Sequence, residues 1–332
     1  MDITTRSVAL GDRTLTFELG KVAKQADGST VVRLDDTMVL VTACASPDAR
    51  EGVDFLPLTV DYREPTYAGG RIPGGFFKRE GRPTEREILT CRLIDRGLRP
   101  LFPDGYHRES QVIAWVLSAD DENDPDVLGI SGASMALMAA PDIPFDTPIA
   151  GVRVGRVNGE FVLFPTYSER DESDLDLIVA GTEGAVAMVE CGADELPEDV
   201  IIDALALAHD AIKKIIALQR DVVAERNVTK VPFEGTPDPW PEGFESDLRS
   251  RWAEDLRTAM HTKGKFEQGD AIDAVRQQAI DALPEDDAAV QKPWGKAIFR
   301  RMVKEITRET ILGRKQRLDG RSFDEIRRVT TE

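Results

Sequence analysis

Cysteine and histidine are scarce, with three of each among 332 residues. Cys44, Cys91 and Cys191 are odd in number and far apart. That spacing supports neither a disulfide framework nor a paired-cysteine metal knuckle, and each is expected to be a small buried apolar side chain. His107, His209 and His261 lack the H-E-x-x-H spacing and the cysteine partners of a zinc site. His209, inside an apolar helical stretch, reads as a structural histidine. Positive charge is also in deficit: 42 Lys and Arg against 60 Asp and Glu give a net charge of −18, which excludes a uniformly basic nucleic-acid coat. No apolar run reaches the length of a membrane-spanning helix, and the opening MDITTRSVAL lacks the basic-then-apolar plan of a signal peptide. The expectation is a cytoplasmic chain with no membrane partner. Neither a phosphate-binding P-loop motif nor a strand-linked G-x-G-x-x-G occurs.

What is present is enough apolar residue, 41% of the chain, for two cored domains. Over the first 195 residues short β-type runs alternate with turn signals. Residues 31–34 and 37–42 flank Asp35-Asp36 as a hairpin, and 152–157 and 161–164 flank Asn158-Gly159 as another. Strands are expected at 55–60, 111–118 and 175–179, and a short small-residue helix at 131–140. From Pro197, EDVIIDALALAHDAIKKIIALQRDVVAERN keeps helical spacing and is expected to close the first domain. Four prolines between Val231 and Gly243 then read as a linker. Three further sets of apolar residues at helical spacing, beginning at Phe244, Ile272 and Ile298, predict a small all-helical domain. The fold class is α+β: a mixed β-sheet core packed with helices, followed by a small all-α domain.

Chemistry concentrates in GGRIPGGFFKREGRPTEREILTCRLIDRGLRPLFP, residues 69–103. Between Arg71 and Arg99 eight basic residues face four acidic ones, a cationic island in an acidic chain. Gly74-Gly75 permit an unusual loop path, Phe76 and Phe77 offer π-faces to bases, and Lys78 and Arg79 offer charge to phosphates. Thr84 and Glu87 form a capping-box pattern, so a helix is expected from there to about Leu98. On it Arg92, Arg96 and the following Arg99 fall within about 60° of one another, opposite Cys91, Ile94 and Leu98. That face is either a phosphate track or an ordinary solvated face paired with neighbouring acids. Phe76 and Phe77 are, by the same token, either base-stacking rings or apolar anchors of the loop.

The segment IPGGFFKREGRPTEREILTCRLIDRGLRPLFP closely resembles the first core domain of the bacterial polynucleotide phosphorylase family. Residues 20–43, 122–137 and 174–190 are similar to the same domain in order, and the helical block to about 312 to the family's interdomain helices. RLDGRSFDEIR, at 317–327, resembles the opening of the family's second core. The resemblance implies a ribonuclease-PH-like first core over 1–230, an all-helical domain over 231–312, and a linker with the opening of a second core over 313–332. It implies a 3′→5′ phosphorolytic exoribonuclease that acts on single-stranded RNA in mRNA decay and releases nucleoside 5′-diphosphates. The resemblance further implies that Mg²⁺ and inorganic phosphate are bound in the second core and that the assembly is a homotrimer, with other RNA-decay proteins as further partners.

Carried over by motif, Phe76, Phe77, Lys78 and Arg79 line the RNA channel, and Arg82, Arg92, Arg96 and Arg99 follow as weaker members of the same path. Lys78 stands where the family often has arginine, which keeps the charge and loses the bidentate fork. No catalytic or metal-ligating residue is expected in this portion. The family's serine-rich phosphate loop aligns with Ile130-Ser131-Gly132-Ala133-Ser134, which has fewer hydroxyls. Its metal-site Asp, Asp and Lys align with Arg170, Asp176 and Ile178, so a single carboxylate remains. Asp174 and Asp176 alternate with Leu175 and Leu177, as on the polar side of a strand. The expectation is RNA-channel binding and trimer scaffolding without catalysis by these residues alone, or else a purely non-catalytic RNA-binding and assembly module.

Overall fold

The computed structural model describes residues 3–50, 53–76, 78–235, 238–284 and 288–331. The chain divides into two compact units, Met1–Thr236 and Pro237–Glu332.

In the first unit strands β1 (Thr4–Leu10), β2 (Arg13–Leu19), β3 (Gly28–Leu34), β4 (Thr37–Ala49) and β5 (Leu58–Arg63) precede helix α1 (Glu85–Leu98). Strand β6 (Arg108–Ser118), helix α2 (Asp126–Ala139), β7 (Ala150–Val157), β8 (Glu160–Leu163), α3 (Tyr167–Asp171), β9 (Leu175–Gly181), β10 (Val186–Ala193) and α4 (Glu198–Glu225) follow. One sheet has the order β1-β2-β3-β4-β6-β5, antiparallel except for the β5–β6 pair. The other has the order β10-β9-β7-β8 and is antiparallel throughout.

Both expected hairpins form. Asp35 at φ 51° turns β3 into β4, and Asn158 at 51° with Gly159 at 86° turns β7 into β8, the positive dihedrals that a two-residue hairpin turn requires. The strand expected at 55–60 starts later, at Leu58, and the helix expected at 131–140 starts earlier, at Asp126. Pro197 caps α4 from outside the helix and is not its first residue.

Helix α2 carries no apolar stripe because it has no solvent side. Every residue from Asp126 to Met138 is buried, and the helix packs on β3 and β4 of one sheet and β7 of the other. Its small residues permit that approach. A Cβ on Gly132 would lie 2.5 Å from Val41 Cγ2, and one on Gly28 of β3 would lie 1.9 Å from the Ala136 carbonyl oxygen. Two serines tie the helix to its neighbours. Ser131 Oγ accepts from the Gly151 amide at 3.1 Å; Ser134 Oγ accepts from the Ile149 amide at 2.9 Å and donates to Gln219 on α4 at 2.7 Å. The helix expected at 131–140 thus takes in the segment aligned with the family's serine-rich phosphate loop, Ile130–Ser134. These residues lie inside α2, buried, and both hydroxyls are engaged in packing.

The cysteines also correct expectation. Cys44 and Cys191 are exposed and Cys91 is half-buried. Strand alternation turns Ala43 into the core and Cys44 outward, and Cys191 lies on the edge strand β10. The Cys91 thiol accepts from the Tyr62 amide at 3.1 Å.

The second unit is helical, with α5 (Phe244–Met260), α6 (Lys265–Asp281) and α7 (Ala288–Arg314). They close over a core of Leu248, Leu256, Met260, Ala279, Ile298, Phe299, Met302 and Ile306. Among the described residues no helix is long and apolar enough to cross a membrane.

Candidate nucleic-acid interface

The stretch after β5 makes one turn of 3₁₀ helix, Thr66–Gly69, which Gly70 ends at φ 68°. The chain then leaves as a loop and returns at Glu80, and its two limbs are joined at the neck. Thr66 is the hub: its carbonyl accepts from the Arg71 amide at 3.1 Å. Its own amide and hydroxyl donate to the two Glu80 carboxylate oxygens at 2.8 and 3.1 Å. Beside it Arg63 Nη2 donates to the Gly81 carbonyl at 3.2 Å.

Beyond the neck the loop turns through Gly75 at φ 75° and Lys78 at 46°. Phe76 leaves 94% of its surface exposed. Lys78, Arg79 and Arg82 are exposed, and among the described residues no carboxylate lies within ion-pair distance of them. Phe77, placed with them by sequence, lies outside the described residues. The result is a cationic, ring-bearing projection on a fixed base, the combination that holds single strands by stacking and phosphate contact.

Helix α1 begins as the pattern required. Thr84 and Glu87 form a reciprocal capping box, with the Thr84 amide donating to Glu87 at 2.6 Å and the Glu87 amide to Thr84 Oγ1 at 3.2 Å. Glu87 also accepts from the Glu64 amide at 2.9 Å, so one carboxylate fastens the helix start to the end of β5. Burial pushes this carboxyl up, but hydrogen bonds from the Thr84 and Glu64 amides outweigh burial and hold it below the usual carboxylate range.

The three arginines expected to share a face are differently engaged. Arg92 is exposed. Arg96 pairs with Glu190 of β10. Arg99, one residue past the helix, binds Asp95 at 2.6 Å and the carbonyls of Leu56 and Leu58 at 3.0 Å each, and so anchors the entry to β5. The projection and the arginine face are thus distinct features, one open and one largely taken up by protein partners.

Between α1, α2, β7 and β9 lies a second feature, one that the sequence did not single out. Arg86 reaches Asp124 at 2.6 Å, Tyr167 at 2.9 Å and Glu64 at 3.2 Å. Arg170 bridges Asp124 at 2.7 Å and Asp176 at 2.9 Å. Arg153, its side chain 5% exposed, contacts Asp126 at 2.5 Å, Asp124 at 3.5 Å, and Asp176 as well. Burial raises the Asp126 carboxyl to about 6, with the nearby Asp124 charge adding and Arg153 opposing. Among the described residues the buried Arg153 Nε has no acceptor. The sequence named Arg86 in the cationic island and Arg170 and Asp176 in the aligned metal-site pattern, but not Arg153, Asp124 or Asp126; period-two alternation in β7 and β9 was the available signal that Arg153 and Asp176 face the same layer.

Asp176, aligned with a metal ligand of the family, gives each of its oxygens to an arginine, while Arg170 sits among the acids and Ile178 is buried with the core. Positive charge already fills the space among the carboxylates, so this donor set does not fit Mg²⁺. Among the described residues no group of three or more His, Cys, Asp or Glu is placed to hold a metal.

With this geometry in hand, comparison with known proteins places the chain. Residues 11–141 and 147–211 match domains 1 and 2 of the 3′ exoribonuclease family, and residues 244–322 match the RNA binding domain of polyribonucleotide nucleotidyltransferase. Polyribonucleotide nucleotidyltransferase of Koribacter versatilis is 48% identical over 97% of this chain. The chain belongs to the polyribonucleotide nucleotidyltransferase family. Other members, from Heliobacterium modesticaldum and Geotalea uraniireducens, are 46% and 45% identical over 98% and 99% of the chain. The chain spans 39%, 45% and 47% of the length of these three relatives. Rice (Oryza sativa) Rrp46 shares the fold at a TM-score of 0.52 and 16% identity, over 63% of this chain and 94% of that one. The ribonuclease-PH-like, α+β core that residues 69–103 implied is thus the fold of this polyribonucleotide nucleotidyltransferase family member.

Proposed function

We propose that this chain supplies the RNA-channel and trimer-scaffold part of a cytoplasmic, homotrimeric polynucleotide phosphorylase that degrades single-stranded RNA from its 3′ end. In that reaction an oxygen of inorganic phosphate attacks the terminal internucleotide phosphorus. The bond to the penultimate 3′ oxygen breaks, that oxygen takes a proton, and a nucleoside 5′-diphosphate leaves. The observation that carries the reading is the projecting loop: Phe76 exposed beside Lys78, Arg79 and Arg82, which have no ion-pair partner among the described residues, on a base fixed by Thr66, Glu80 and Arg63. There Phe76 and Phe77 stack on bases while Lys78, Arg79 and Arg82 meet phosphates. Arg92 extends the path, and Arg96 and Arg99 join it only by releasing Glu190 and Asp95. Residues 1–230 are the first core, 231–312 the helical domain, and 313–332 the linker and the opening of a second core. Mg²⁺ and phosphate act in the second core, because Asp124, Asp126 and Asp176 of the first core are paired with Arg86, Arg153 and Arg170. Other RNA-decay proteins are further partners.

That pairing of carboxylates with arginines also favours a second reading, in which the chain by itself is a non-catalytic RNA-binding and assembly module. A radiolabelled single-stranded RNA incubated with Mg²⁺ and phosphate separates the two. The first reading expects nucleoside diphosphate only when a separately expressed second core is added. Product from this chain alone would overturn the assignment of a silent first core, and salt-sensitive RNA retention with no product in either mixture leaves the second reading.

A further inference from the structure

We propose that Glu80 is a positioning residue for RNA, an acid that raises affinity for a polyanion by closing the neck of the loop that grips it. The inference rests on the RNA reading above and assigns the loop a mechanical part that its composition conceals. Residues 71–79 contain two adjacent glycines and, among the described residues, positive φ angles at Gly75 and Lys78, and a Cβ on Gly74 or Gly75 would meet nothing within 4 Å. At Gly74 and Gly75 neither packing nor local backbone preference fixes the path, and backbone freedom of this kind must be ordered on binding. Fixed points are supplied at the neck. Thr66 holds the outgoing limb through Arg71 and the returning limb through both Glu80 oxygens, and Arg63 holds Gly81.

Charge and geometry make opposite predictions at this residue, which is what makes the inference testable. If Glu80 acted only through its charge, removing it would strengthen attraction to RNA. If it acts through the neck, removing its acceptors weakens binding despite the gain of one positive charge. Glu80→Ala and Glu80→Gln gain the same charge, but only glutamine keeps the length and the hydrogen-bonding groups that reach Thr66. The glutamine carbonyl can accept from the Thr66 amide while its NH₂ donates to the Thr66 hydroxyl.

The experiment measures single-stranded RNA affinity for the wild type and both variants, together with amide hydrogen exchange across residues 71–79 without RNA. Expected are an affinity for Glu80→Ala lower by about fivefold, with faster exchange confined to the loop, and recovery of both in Glu80→Gln. Equal behaviour of the two variants, or unchanged exchange in Glu80→Ala, overturns the proposal. The paired Lys78→Ala and Arg79→Ala variant scores the underlying reading. RNA affinity indifferent to that pair overturns the RNA assignment, and because exchange is read without RNA, that failure is distinguishable from failure of the neck.

Discussion

Replacing Arg153 with methionine keeps a long unbranched side chain and removes the cation at the centre of the buried cluster. The carboxylates left behind are themselves buried: the side chains of Asp124 and Asp126 are 5% and 8% exposed. Breaking a buried pair from one side costs about 3–5 kcal/mol, a large share of the roughly 5–15 kcal/mol that stabilises a domain. The loss also carries a pH signature. Asp126 already titrates at about 6, above its unfolded value, because burial outweighs the pull of Arg153. Without that pull its folded pKa rises further. A carboxyl with a raised folded pKa destabilises the fold most where it is ionised, above that pKa, and the penalty is relieved as pH falls through it. Arg153→Met is therefore expected to lose about 3–5 kcal/mol at pH 7.5 and about 1–2 kcal/mol less than that at pH 5.5. Adding Asp126→Asn should recover part of the loss at pH 7.5, since the two residues are in contact. Urea unfolding read by hydrogen exchange across β7 scores the first unit by itself. A loss under about 1 kcal/mol at pH 7.5, or an equal loss at both pH values, would refute the reasoning that the cluster is held together by this arginine.

The remaining arginines separate by salt. Arg79→Ala is expected to weaken RNA binding and lower the salt slope by about one. Arg99→Ala should instead lower the melting temperature with little change in slope, because its guanidinium is bound to Asp95 and two carbonyls; filter binding across a salt series and thermal melting check both. Gly28→Ala would drive a Cβ against the Ala136 carbonyl, backbone on backbone with nowhere to move, and is expected to cost about 3 kcal/mol or more by chemical denaturation. Burial pushes Asp120 up, but hydrogen bonds from Asn123, Glu122 and Thr37 outweigh it and hold the carboxyl at about 2. Its contribution is present above the unfolded value near 3.9 and lost as pH falls toward 2, so Asp120→Asn should flatten the acid limb of a stability-versus-pH curve.

Local signals in the sequence sufficed for features whose physics is local. The Thr84–Glu87 box starts α1 because the partners are three residues apart, and Asn158-Gly159 makes a hairpin because its backbone tolerates positive φ. The all-helical second unit followed from spacing alone, and the exposed loop from Phe76 to Arg79 was visible as glycines, rings and cations in a row. Tertiary structure decided everything that depends on residues far apart in the chain. The helix around Ser131 and Ser134 was legible, but not the partners of their hydroxyls, which the Ile149 and Gly151 amides and Gln219 of α4 supply. Arg92, Arg96 and Arg99 shared a face by periodicity, yet partners brought up from β10 and the start of β5 gave two of them structural work. The neck joins Thr66 to Glu80, and the buried cluster joins Arg86, Asp124, Arg153, Arg170 and Asp176. A charge in sequence is only a charge; whether it is spent on its own fold or left for a ligand depends on which opposite charge the packed chain carries to within 3 or 4 Å of it.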